Sequence, residues 1–259
     1  MRDRKYIISL ERGLKILEIF GESARKLTLT EVASACLLNK TAAQRFLYTL
    51  CTLGYLTRDE NKKYQLSTKI LSLGFSFLNS SDLRSVCKPH IDSLPSEINR
   101  TVNLGILDGV EVIYLYRKEL TRYLKYDLYA GSRLPAYCVS TGKILLAGLT
   151  DKDLKDRIDR MTLNPITRKT VTSKLKLWDE IMQTRKRGYS ICDRQLSMDL
   201  YSMAVPLINE RQEVIAAVNV TMDSRESEMG IKGKIAQKLI NTGLLISKIL
   251  GYHGLYPKK

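Results

Sequence analysis

The sequence contains no apolar run approaching the ~18 residues that a membrane helix requires. Its N-terminus, Met1-Arg2-Asp3-Arg4-Lys5-Tyr6-Ile7-Ile8, carries charge but too short an apolar stretch for a secretory signal. A cytoplasmic protein with no membrane partner is expected. Histidine is scarce: His90 and His253 are the only two, and neither sits in a nucleophile motif. Gly-x-Ser-x-Gly, His-Glu-x-x-His, the P-loop and the dinucleotide-binding glycine fingerprint are all missing, so no catalytic residue, no cofactor and no enzyme activity is expected. The five cysteines, Cys36, Cys51, Cys87, Cys138 and Cys192, are odd in number and irregularly spaced, with no Cys-x-x-Cys pair. That argues against disulfides and metal ligation and for reduced packing thiols. A redox or metal pair of Cys138 with Cys192 is the weaker alternative. Glu111, Asp193 and Asp199 are scattered carboxylates, read as surface charge or a local hydrogen bond.

What the chain does have is positive charge. Forty-two Lys and Arg against 27 Asp and Glu give +15 and a pI near 9.6. Such a balance points to a polyanion, nucleic acid first. Residues 1–80 carry +6 and the remainder +9, so charge alone does not locate a binding face. At 259 residues and 44% hydrophobic content, two packed domains are expected.

Leu10, Leu14, Leu17 and Phe20 form the apolar stripe of a first helix, which Gly21 should end. Thr28 and Glu31 make a capping box, with Leu27 and Val32 as its hydrophobic staple, starting a helix that runs to about Cys36. After the turn Leu37-Leu38-Asn39, a third helix turns Ala43, Phe46, Leu47, Leu50 and Leu53 inward. Lys40, Thr41, Gln44, Arg45 and Tyr48 lie outward, and Gly54 supplies the left-handed residue that stops helices. Residues 55–58 and 64–66 then read as a hairpin with a polar tip. This is the plan of a winged helix-turn-helix. Its third helix would enter the major groove of a double-stranded DNA operator, and Arg58, Lys62 and Lys63 of the wing would reach the backbone. The alternative is a ligand-binding protein whose winged helix contacts protein rather than DNA.

The boundaries expected are 1–66 for the DNA-binding domain, 67–81 for a helical linker and 82–253 for a second, α+β domain. The linker is too apolar to be free, and should pack on a second subunit or on the first helix. A helix over 83–98 would tolerate Pro89 and Pro95 through a kink or break. Strands over 101–107 and 110–116 are joined by Asp108-Gly109, a third strand covers 120–129, and helices follow near 140–149, 151–160 and 173–187. Strands return at 189–192, 202–207 and 214–221 before a final helix over about 228–250. Trp178, with Leu175, Leu177 and Ile181, is expected in the core. Residues 131–143 read as an irregular loop entering a helix near Ser140, where unsatisfied amides and the hydroxyls of Ser140 and Thr141 suit a carboxylate. A plain helix cap is the competing reading.

Several stretches together resemble the IclR family of bacterial regulators along nearly the whole chain. They are Ser9–Leu17, Leu29–Ala33, Lys40–Leu47, Leu134–Lys143, Arg187–Tyr189, Ala204–Pro206 and Ala216–Val220. The forms RFLYTLCTLGYL, RLPAYCVSTGK and AAVNV are most like the branch that regulates protocatechuate and 4-hydroxybenzoate catabolism. The resemblance implies a GAF-like domain that binds a small carboxylic acid effector, aromatic in that branch. It also implies a transcription repressor or activator working as a homodimer or a dimer of dimers (homotetramer), with RNA polymerase as a further partner. Carried over by position, the effector pocket would be lined by Tyr123, Tyr126, Leu134, Ser140, Thr141, Cys192, Leu200, Ser202, Asn219 and Thr221. Tyr123 and Tyr126 are three apart, so a strand must bulge for both to face one pocket. The chain departs from the family pattern at Gln195, commonly Glu, at Tyr201, usually Arg, and at Leu37, often Gly in the helix-turn-helix.

Overall fold

The structure, a computed structural model, describes residues 5–23, 25–80, 82–120, 128–225 and 232–256. It comprises two compact units, Met1–Phe77 and Leu78–Lys259.

The first unit contains α1 (Ile8–Ser23), β1 (Leu27–Thr28), α2 (Leu29–Ala35), α3 (Lys40–Thr52), β2 (Leu56–Arg58), β3 (Lys63–Leu66) and most of α4 (Lys69–Ser80). The capping box starts α2 as its residues dictate: the Glu31 amide donates to Thr28 Oγ1 at 3.3 Å, and the Thr28 amide donates to the Glu31 carboxylate at 2.8 Å. The Asn39 side chain caps α3 by accepting the Ala42 amide at 2.8 Å. Leu37, at φ 54, makes the turn between these helices in the left-handed region where glycine is favoured. Ile16, Phe20, Val32, Leu47, Leu56 and Tyr64 form the core.

Four expectations change here. Leu10 and Leu14 of the expected α1 stripe are exposed, and Ile16 packs into the core with Phe20 instead. Gly21 does not end α1, which continues to Ser23. Leu53 is half-exposed, because it has become the C-terminal cap of α3 instead of a core position. The hairpin gains a third strand, since β1 pairs with β3 through Leu27 opposite Tyr64.

The second unit runs α5 (Asp82–Ile98), β4 (Thr101–Asp108), β5 (Glu111–Lys118), β6 (Arg133–Pro135), a 3-10 turn (Ala136–Cys138), α6 (Ser140–Ala147), α7 (Asp151–Arg160), α8 (Lys174–Arg187), β7 (Ser190–Asp193), β8 (Leu200–Ile208), β9 (Val214–Asp223) and α9 (Lys232–Ile249). Six antiparallel strands form one sheet in the order β6-β5-β4-β9-β8-β7. Helices α5 and α9 cover one side, over Ile91, Leu104, Leu115, Val218, Met222 and Leu239. Helices α6 and α8 belong to the apolar cluster on the other. Covering on both sides explains why β8 is buried at every position.

α5 is a single helix through Pro89. The third strand expected over 120–129 falls mostly on residues outside those described, and the described Leu120, Leu128 and Tyr129 are not in a strand. β6, read from sequence as loop, instead pairs with β5 through Leu134 opposite Val112. Trp178 is partly buried against the core with Leu177 and Ile181, but Leu175 is exposed, at the first turn of α8. Among the described residues no helix is long and apolar enough to cross a membrane.

Gly142 lets α6 press onto the 3-10 turn: an added Cβ would stand 2.2 Å from the Ala136 carbonyl oxygen. Gly142→Ala should therefore destabilise the chain by roughly 1–3 kcal/mol, the range for overpacking. Denaturant unfolding measures this, and an unchanged midpoint would contradict the close approach.

Candidate functional site

The 3.6-residue period sorts α3 into two faces. Ala43, Leu47 and Leu50 are buried, while Lys40, Thr41, Gln44, Arg45 and Tyr48 are exposed. Arg58, Lys62 and Lys63 of the hairpin are exposed as well. Arg58 stands over the Tyr64 ring at 5.5 Å from its centre, and Lys62, at φ 59, turns the tip. A bare Asp59 at this tip would repel phosphate. Instead Lys26 Nζ donates to it at 2.9 Å and the Lys63 amide at 3.0 Å. These bonds, Lys26 first, hold the Asp59 carboxyl below its ordinary pKa. The result is an outward helix face and a hairpin whose tip carries a paired Asp59 beside an exposed Glu60.

In the second unit, the side of the sheet that faces α6 is polar at its centre. Register places Cys192, Ser202, Thr221 and Thr101 in one cross-strand row. Ala204, Asn219, Asn103 and Arg117 form the next row, and Gly105 with Tyr114 continues beyond it. Asn103 Nδ2 donates to Asn219 Oδ1 at 2.8 Å, and Arg117 Nη1 donates to Asn103 Oδ1 at 2.8 Å. The turn and α6 are tied down above this face. The Cys192 thiol donates to the Cys138 carbonyl at 2.9 Å, and the Ser190 hydroxyl to the Ser140 carbonyl at 2.7 Å.

Ser140 and Thr141 open α6 and are fully buried. They do not cap it: the N-cap is Val139, and no side chain bonds the first amides. Neither Ser140 Oγ nor Thr141 Oγ1 makes a hydrogen bond of normal geometry. Gly105 makes room for Thr141, since an added Cβ would lie 2.9 Å from Thr141 Cγ2. Burial pushes the Tyr114 phenol up, and the neighbouring Thr141 side chain offsets part of that rise. Buried hydroxyls without partners are costly and uncommon. Together with the helix start and the asparagine pair they form a polar lining that a small molecule with hydrogen-bonding groups would satisfy.

Of the residues expected to line a pocket, Ser140, Thr141, Cys192, Leu200, Ser202, Asn219 and Thr221 share this side of the sheet. Leu134 belongs to the same apolar cluster, near the sheet edge. Tyr123 and Tyr126 lie outside the described residues. Sequence reasoning missed Asn103, Tyr114 and Arg117. The available signal was Thr101, Asn103 and Gly105 at alternate positions of an otherwise apolar strand. Of the departures, Gln195 adjoins the lining at Cys192, and Tyr201 stands away from it. Gln195 accepts a bond from Lys143 Nζ at 2.8 Å, beside the Lys143–Glu180 ion pair, and Tyr201 is buried on the opposite side of the sheet. Among the described residues no cluster of His, Cys, Asp or Glu could hold a metal ion.

Two family models match this chain: the IclR helix-turn-helix domain over residues 9–60, and the bacterial transcriptional regulator IclR C-terminal domain over residues 75–248. The chain belongs to the IclR family. It is 34% identical to the Pca regulon regulatory protein of Pseudomonas putida, over 85% of this chain and 75% of that one. A transcriptional regulator of Rhodococcus sp. RHA1 superposes with a TM-score of 0.80 at 32% identity, covering 95% of this chain and 98% of that one. An IclR homologue of Microbacterium hydrocarbonoxydans, solved in complex with 4-hydroxybenzoate, has the same fold: TM-score 0.79, 22% identity, 93% and 98% covered. The IclR-family helix-turn-helix model covers α1 to the first strand of the hairpin, and these relatives are transcription regulators rather than enzymes.

The thiols of this IclR-family chain are free and serve packing. Burial pushes Cys138 up to about 12, Cys192 up to about 11 and Cys87 up to about 12. The thiolate is the reactive form, so at pH 8 these three stay protonated and should resist iodoacetamide until the chain unfolds, with half-buried Cys51 labelling first. Mass spectrometry of native and unfolded samples decides this; rapid native labelling of Cys138 or Cys192 would contradict it.

Proposed function

We propose that this regulator binds an operator in double-stranded DNA through α3 and the wing and responds to a small organic carboxylic acid, controlling catabolic genes from the cytoplasm. The observation that carries the sensing half is the pair of buried, unpartnered hydroxyls of Ser140 and Thr141 at an uncapped helix start above a polar sheet centre. Helix N-termini favour anions, and the 4-hydroxybenzoate complex of the Microbacterium homologue makes aromatic acids the first class to test. Residues 1–66 would read DNA, 67–81 connect, and 82–253 sense. Leu10 and Leu14 on α1 and Leu71 and Leu73 on α4 are exposed apolar side chains that a second copy would cover, giving a homodimer or a dimer of dimers. The effector would favour one arrangement of the paired DNA-binding units; a near-complete switch requires about ten-thousand-fold differential affinity. In an activating mode, RNA polymerase is a further partner.

Lys40, Thr41, Gln44, Arg45 and Tyr48 would face bases and phosphates, and Arg58, Lys62 and Lys63 the flanking backbone. Arg45→Ala should then lower operator affinity by about tenfold or more, within the 1–3 kcal/mol of a base contact. Binding should also weaken with salt, by a log-log slope of about 0.9 per phosphate neutralised. Gel shifts over a salt series measure both; a flat slope and an unaltered Arg45→Ala affinity would favour a winged helix that contacts protein. For the sensing half, at least one of benzoate, 4-hydroxybenzoate, 3,4-dihydroxybenzoate and pyruvate should raise the melting temperature of the full chain. If none does, the sensing half is wrong.

A further inference from the structure

Arg117 brings a cation to the buried polar side of the sheet. Its side chain is only 10% exposed. The guanidinium has five N–H donors and needs either acceptors of matching number or an opposite charge when it leaves water. Here Nη1 meets the neutral Asn103 Oδ1 at 2.8 Å, and Nη2 meets Glu119 Oε1 at 3.1 Å. Glu119 is 45% exposed, so part of its charge is spent on solvent. Nε is buried and has no hydrogen-bond partner among the described residues.

The asparagines hold this group without neutralising it, and the half-exposed Glu119 supplies its ion pair. Asn219 Oδ1 accepts one Asn103 N–H, which orients Asn103 Oδ1 towards Arg117. The three residues lie in one row across β9, β4 and β5. Further along the same side, Tyr114 neighbours Arg117 and also Thr141 at the start of α6. One cluster thus contains a partly neutralised cation with a buried Nε that lacks a partner among the described residues, the Ser140 hydroxyl likewise without one, and the Thr141 hydroxyl beside the Tyr114 phenol.

We propose that Arg117 is the anion-recognition residue of the sensor pocket, donating charge-assisted hydrogen bonds to the effector's carboxylate while Ser140, Thr141 and the α6 start take a second polar group. This rests on the reading of the polar sheet centre as a small-molecule pocket, and deepens it. The carboxylate moves from the helix start to the sheet, and the ligand class narrows to small acids with a carboxylate at one end and a hydrogen-bonding group at the other, as in a hydroxybenzoate. A planar fork of N–H donors suits a carboxylate better than a point charge does.

The test uses the full chain and calorimetric titration with benzoate, 4-hydroxybenzoate, 3,4-dihydroxybenzoate and pyruvate, each beside its neutral amide. The wild type should bind at least one acid about tenfold or more tightly than its amide, the scale of a hydrogen bond to a charged group. Arg117→Gln keeps a donor for Asn103 and removes the charge. It should bind that acid and its amide within about threefold of each other, and without ligand it should melt no lower than the wild type, since an under-neutralised buried cation is gone. Undiminished acid preference in Arg117→Gln would overturn the role of Arg117 and leave the pocket standing. An unliganded melting temperature several degrees below wild type, with acid preference intact, would mark Arg117 as structural. If no acid binds the wild type, the pocket reading fails together with the proposal. Should Arg117→Gln not fold, Arg117→Lys decides: acid binding weakened several-fold supports the fork, and unchanged binding overturns it.

Discussion

A hydrogen-bonding group taken out of water must find a partner or cost roughly 1–3 kcal/mol. That constraint shapes the larger unit of this protein. Its sheet is apolar towards α5 and α9, where Leu104, Val218 and Met222 pack as ordinary core. Towards α6 the same strands carry Asn103, Asn219, Ser202 and Thr221, all buried. The two asparagines pair with each other across strands that lie 116 residues apart in sequence. The hydroxyls of Ser140 and Thr141 make no such bond. A structure tolerates an unpaired group of this kind where function calls for it, and a sensor that stays specific without ligand is such a case.

The smaller unit obeys the opposite rule. Here polar groups are kept in water and only their spacing is fixed. The capping box and Asn39 set where α2 and α3 begin, Leu37 sets the turn between them, and the buried stripe of α3 then determines which side chains remain outside. Arg45 and its exposed neighbours owe their positions to Ala43, Leu47 and Leu50 beneath them. The Lys26–Asp59 bond neutralises one of the two acids at the wing tip, and Glu60 stays exposed beside it.

This contrast explains what could be read before the structure. The helix-turn-helix was legible because each of its signals is local: Thr28 with Glu31, the short turn Leu37-Leu38-Asn39, Gly54 after Leu53. β1 and β6 were missed because two- and three-residue strands have no period of their own and exist only through distant partners, Tyr64 for Leu27 and Val112 for Leu134. The pocket candidates on β7, β8 and β9 came from family resemblance, whereas Ser140 and Thr141 on α6 were also marked locally by a loop that enters a helix. Arg117 and Asn103 escaped notice because their significance is a cross-strand relation. Leu53 and Leu175 were misplaced because helix periodicity continues on paper past the residue where a helix begins or ends.

The most direct measurement is a crystal structure of the full chain grown with the acid that stabilises it most. The carboxylate should lie within hydrogen-bond distance of Arg117, with the ligand's other polar group facing Ser140 and Thr141. Electron density for that acid elsewhere on the protein, with the polar centre of the sheet closed over by its own side chains, would contradict the assignment of this face as the sensing site.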